Sequence, residues 1–153
     1  MEKIFNITPA SSGAITTIWI FSAVIILLLV FIIVLFGIIG YQSKYARFTV
    51  TDDGLQIGPG FYARFIPGDN IIRDGVKVVN LELEPEYALA RRTNGTGLPG
   101  FNAGWFTLNN HEKALVFVTD KSNVVYIPTT EGYSVLLSTP QAEEMAETLR
   151  TWK

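Results

Sequence analysis

Residues 91–106, RRTNGTGLPGFNAGWF, place Gly95, Gly97 and Gly100 in the spacing G-x-G-x-x-G behind two arginines. In a dinucleotide-binding unit this spacing lets a turn approach a pyrophosphate, which then rests on the free N–H groups of the following helix. A strand must lead in, a helix must begin among the glycines, and an acidic residue must close the next strand. Asp120 meets the last condition. The helix cannot form, because Pro99, Gly104 and the run NNHE interrupt it while Trp105 and Phe106 favour a strand. The preceding EYALARR is no convincing strand, and no Gly-Lys-Ser/Thr follows. The glycines therefore read as a structural loop in which Gly95, Gly97 and Gly100 supply positive φ and Pro99 adds stiffness. Gly104 marks a bulge or a close backbone approach. Arg91 and Arg92 are the best candidates for holding an anionic headgroup or a partner carboxylate, with Gly97, Gly100 and Trp105 as the accompanying contacts.

Other chemistry is sparse. Glu82, Glu84 and Glu86 would share one face of an extended strand, and three such carboxylates more often mark a wet face than a metal site. Asp52-Asp53-Gly54 reads as a turn without the remaining calcium-loop pattern. His111, the single histidine, lies in the polar connection NNHEK with no serine or acid at a recognised spacing. Ser134 and Ser138 lack a nucleophile elbow. The absence of cysteine excludes disulfides and thiolate chemistry. A formal charge of −2 gives no general pull toward nucleic acid. The expectation is a protein that is not an enzyme and carries neither cofactor nor metal.

The elements around these residues begin with the membrane. No charged residue lies between Lys3 and Lys44, and residues 18–40, IWIFSAVIILLLVFIIVLFGIIG, are almost continuously apolar. About 20 such residues cross the hydrocarbon core as a helix. Trp19 near the start, and Tyr41 and Tyr45 past the end, suit the interfacial depths. A cleaved signal peptide fits less well, since the run is long and GIIGYQS offers no A-x-A site. The organisation expected is a tail at 1–13, a transmembrane helix at 14–40, a juxtamembrane linker at 41–46, and a β domain at 47–153 with a C-terminal helix at 139–151. Lys44 and Arg47 against Lys3 point to a single-pass protein of the cell membrane with a cytoplasmic C-terminal domain. The same two cations are candidates for contact with anionic lipid.

Beyond the span, RFTVT (47–51) and LQI (55–57) flank the DDG turn as a hairpin. FYARF (61–65), VKVVNLEL (76–83), GWFTL (104–108), KALVFVT (113–119), NVVYIP (123–128) and YSVLLS (133–138) continue the strand pattern. The short spacing of these eight runs predicts a small antiparallel barrel or sandwich, with seven strands expected. In STPQAEEMAETLRTWK (138–153) the period changes: Ala142, Met145, Leu149 and Trp152 form one helical stripe, with Ser138 or Thr139 as cap and Pro140 in the first turn.

This order of features resembles the membrane-associated bacterial pleckstrin-homology-like (PH-like) domains. The resemblance rests on a membrane helix directly before a β domain, on FYARFIPGDNI (61–71), on RRTNGTGLPGFNAGWFTL (91–108), and on NVVYIPTTEGYSVLLSTPQAEEMAETL (123–149). It implies two bent antiparallel sheets of seven strands in all, packed near-orthogonally, with a C-terminal helix plugging one end. Arg92, Gly97, Gly100 and Gly104 fall where similar proteins keep their loop residues. The hairpin matching the eukaryotic phosphoinositide pocket, FTVTDDGLQI (48–57), is acidic at its tip, which argues against that lipid site. The function implied is a membrane-tethered interaction or scaffold domain that presents loops to a protein partner, another membrane protein among the candidates. The alternative is a sensor or carrier of a small anion or lipid headgroup, acting through Arg91 and Arg92 or the basic membrane flank.

Overall fold

A computed structural model describes residue 3 and residues 12–45 and 47–152. The chain divides into two compact units, residues 1–41 and 42–153. The first is dominated by one helix, α1 (Ser12–Tyr45), whose stretch Ile15–Ile38 is long and apolar enough to cross a membrane. Its apolar side chains are exposed all round, as in Trp19, Leu27 and Ile33, so no protein core claims them. Helical backbone runs on through residues 41–45; the side chains of Tyr41, Lys44 and Tyr45 lie outside the described residues.

The second unit is β-rich. Strands β1 (Arg47–Thr51), β2 (Gly54–Gly58) and β3 (Arg64–Pro67) form an antiparallel meander closed by the two-residue turn Asp52-Asp53. The other six are β4 (Lys77–Val79), β5 (Leu89–Leu98), β6 (Phe101–Leu108), β7 (Lys113–Val118), β8 (Val124–Pro128) and β9 (Ser134–Ser138). They make one sheet in the order β4-β8-β9-β7-β6-β5. The C-terminal helix α2 (Ala142–Thr151) follows. Short 3-10 turns at Gly68–Asn70, Arg73–Gly75 and Pro85–Tyr87 connect the early strands.

Among the described residues nine strands stand where seven were expected, and the larger sheet is mixed. Strand β9 lies between β7 and β8, parallel to the first and antiparallel to the second. The connection from β7 to β8 must therefore pass the end of β9, and Ser138 holds it there. Its hydroxyl accepts the N–H groups of Thr119 at 2.8 Å and Asp120 at 3.4 Å. Strands β7, β8 and β9 are buried along nearly their whole lengths. Burial on both faces explains their unbroken apolar runs, since alternation appears only where one face is wet. One face packs Phe106, Leu108, Val116, Val118, Val124 and Leu136 with Val79, Leu81 and the flanking Tyr87 and Leu89. On the other, Phe117 meets Phe48 of the small sheet edge-on, with ring centres 6.2 Å apart.

Helix α2 buries Ala142, Ala146 and Leu149. Ala146 replaces Met145 in the expected stripe, and Met145 stands half-exposed. The N-cap is Gln141, which makes no capping side-chain bond, so neither Ser138 nor Thr139 caps the helix. Arg150 Nε donates to the Val76 carbonyl at 2.7 Å, tying the helix to the start of β4. Trp152 lies against Gly68, with the Arg73 guanidinium 5.8 Å from its ring centre.

Candidate docking edge

The glycine-rich segment is a strand. Residues 89–98 form β5, the outermost strand of the larger sheet, and pair with β6 from Leu89↔Leu108 to Leu98↔Phe101. The long loop expected over 91–104 reduces to the turn at Pro99-Gly100. Gly95 and Gly97 sit in the ladder opposite Gly104 and Asn102, and positive φ is confined to Gly100 (75°) and Gly104 (116°). Local sequence hid the strand because two bulges, between Leu89 and Arg91 and between Arg92 and Asn94, break its alternation. The paired glycines meet a steric demand. A Cβ on Gly104 would lie 2.5 Å from the Asn94 carbonyl oxygen and 3.0 Å from the Tyr62 ring. Close backbone approach at Gly104 was legible from the sequence; its partner Gly95 was not.

Arg91 and Arg92 are both exposed. They are consecutive ladder residues, opposite Thr107 and Phe106, so their side chains leave opposite faces of the sheet. Arg92 reaches along its face toward Gly97: a Cβ there would be 3.4 Å from Arg92 Nη1. The two guanidinium groups do not converge on one small ligand. Leu98 and Gly97 leave the end of the edge open to solvent as well.

Trp105, on the neighbouring strand, faces a different neighbourhood. Its ring meets Tyr133 edge-on at 5.0 Å, with the Arg64 guanidinium 5.2 Å and the Lys113 ammonium 4.4 Å from its centre. Arg64 Nη1 also donates to the Tyr133 hydroxyl at 3.4 Å. Burial holds the Tyr133 hydroxyl above the ordinary tyrosine range, although its bond from Arg64 pulls the other way. Arg64, Lys113 and Tyr133 were not singled out in the sequence, because their approach to Trp105 depends on strand pairing: Lys113 lies opposite Thr107, one diagonal step from Trp105.

The remaining chemical candidates have structural duties. His111 adopts φ 68° in the β6–β7 turn, where its N–H bonds the Leu108 carbonyl at 3.0 Å. Residues 80–84 are a turn rather than a strand: Glu84 Oε1 accepts the Asn80 N–H at 2.9 Å, and the three glutamates form no common strand face. Ser134 is buried and donates to Glu112 Oε2 at 3.4 Å. Glu112 also accepts from the Tyr126 hydroxyl at 3.0 and 2.9 Å. Burial, reinforced by Glu112, raises the Tyr126 hydroxyl far above the usual tyrosine range. Among the described residues, no group of three or more acidic or histidine side chains is arranged to hold a metal ion. An open groove of about 690 Å³ runs between β1 and α2, with Arg47, Phe48, Glu144 and Met145 among its lining. Arg47, selected from the sequence as a lipid contact, lines it, whereas Arg91 and Arg92 do not.

Residues 46–152 match the family model described as Bacterial PH domain. No curated protein and no solved structure matches the chain. The match covers well over half of the sequence, and the chain belongs to this bacterial PH domain family.

Proposed function

We propose that this bacterial PH domain protein is a membrane-tethered, non-catalytic interaction module that receives a protein partner along the β5 edge. The span at 14–40 and the linker at 41–46 would hold the domain at 47–153 on the cytoplasmic side of the cell membrane. The observation that carries the reading is an exposed ten-residue edge strand with a cation on each face. An edge strand offers unpaired N–H and C=O groups to another extended segment. Arg91, Arg92 and the bulges blunt indiscriminate pairing, because an incoming strand must bring carboxylates to both faces. Residues 94–98 are regular in register and uncharged, which suits them to the pairing itself. Gly97 and Gly100 keep that end of the edge low, and Trp105 pairs with Asn94 from the adjacent strand.

The small-anion alternative is less well supported, since two guanidinium groups on opposite faces cannot chelate one phosphate or carboxylate. In-membrane crosslinking of the full-length chain, with a photoreactive residue at Thr96, tests the proposal. The expected result is one specific protein adduct that disappears in the Arg91→Glu, Arg92→Glu double variant. An adduct unchanged by the charge reversal, or no specific protein adduct, would sink the edge reading.

A further inference from the structure

We infer that the β2–β3 turn docks on the anionic surface of the bilayer that holds α1, with Phe61 entering the interface. Register within the small sheet supplies the first argument. Arg47 pairs with Gly58, and Ile57 pairs with Arg64. The start of β1, the turn 59–63 and the start of β3 therefore share one end of that sheet. The acidic turn Asp52-Asp53 lies at the other end, a strand length away. Chain continuity supplies the second: β1 begins two positions after the last residue of α1. The end of the sheet that carries the turn is the end at which the chain leaves for the span.

The turn itself is built for display. Phe61 and Tyr62 are the central residues of a β-turn closed by the Ala63 N–H on the Gly60 carbonyl at 3.1 Å. The Tyr62 hydroxyl donates to Asn94 Oδ1 at 3.1 Å, fastening the turn to the larger sheet. Phe61 is left 82% exposed, the most exposed large apolar side chain described outside α1. An aromatic ring with no core to enter suits the lipid–water boundary. Charge agrees: Arg47 and Arg64 are exposed, and no Asp or Glu occurs from Gly54 to Gly68. Arg64 remains stacked on Trp105 and Tyr133, so it presents a positioned charge rather than a free tether. A domain already linked to the bilayer needs only weak contacts to stay on it, because the linkage sets a high effective concentration.

The chain has no cysteine, so single-cysteine reporters are clean. Full-length protein would be reconstituted in phosphatidylglycerol–phosphatidylethanolamine vesicles carrying a nitroxide-labelled lipid. An environment-sensitive fluorophore would sit at Ala63→Cys, at Asp52→Cys, or within the span at Ser22→Cys. The expected result is strong quenching at 22, and quenching at 63 at least threefold greater than at 52. Phe61→Ser should at least halve the signal at 63, while Phe61→Leu should retain it. Phosphatidylcholine vesicles should also halve it, and equal quenching there would overturn the assignment to an anionic surface. Quenching at 22 with none in excess at 63, or no effect of Phe61→Ser, would overturn the docking. Absence of quenching at 22 would remove the span from the bilayer, and the inference with it. Failure at 63 alone leaves the β5 edge reading untouched.

Discussion

At the scale of single residues, two groups make the tightest demands. Gly104 combines positive φ with a neighbouring carbonyl where a side chain would stand. Gly104→Val should lower unfolding free energy by about 2 kcal/mol or more in denaturant titration, since backbone strain and a steric clash add. Gly100 has φ 75° but open space around it, so Gly100→Ala should cost only about 1 kcal/mol. Tyr126 makes a different demand. Its folded-state pKa is raised, so the unfolded chain loses the phenolic proton first as pH climbs. Between about pH 10, the ordinary tyrosine value, and the raised folded value, the unfolded state binds fewer protons and stability falls. Tyr126→Phe should cost about 1–3 kcal/mol at pH 7 through the lost bond to Glu112. The gap between parent and variant should narrow above about pH 10. Thermal melts of both proteins from pH 7 to 11 check this, and a constant gap would refute the linkage.

At the scale of elements, the strands differ in how openly the sequence declares them. The runs at 113–118, 124–128 and 134–138 are apolar and β-branched because they are buried on both faces, and they were readable at once. Strand β5 was not. Its side chains are mostly exposed, two bulges disturb its period, and three of its residues from 94 to 98 are glycine or asparagine. Only pairing with β6 makes it a strand. Because its arginines touch solvent, Arg91→Glu with Arg92→Glu should change stability by no more than about 0.5 kcal/mol while altering partner capture. Leu149 behaves oppositely: it is fully buried in α2, and Leu149→Ala should cost about 2–5 kcal/mol in a denaturant titration. Ser138 belongs at this scale too. It was expected at the start of the C-terminal helix and serves instead to hold the crossover past β9.

At the scale of the whole molecule, the two units differ in what they expose. The apolar stretch of α1 exposes residues that water would penalise, whereas the β-rich unit encloses its own core. The full-length chain should resist alkaline carbonate extraction from membranes. Replacing Ile26 and Leu29 together by arginine should release it, since each arginine near a span's centre costs about 2.5–3.5 kcal/mol in insertion. Retention of the double variant in the pellet would refute membrane integration through this helix.

The sequence by itself determined the long apolar helix, the three central strands, the amphipathic C-terminal helix and the family. Each rests on a local property: hydrophobic length, a continuous run, a 3.6-residue period, or an ordered set of short motifs. Tertiary structure decided that the glycine segment is an edge strand, that β9 separates β7 from β8, and that Arg64, Trp105, Lys113 and Tyr133 meet. These outcomes depend on pairing between residues far apart in the chain. A nearest-neighbour pattern carries no record of which backbone will lie alongside, so only the folded sheet could place the arginines on opposite faces and leave Phe61 standing clear.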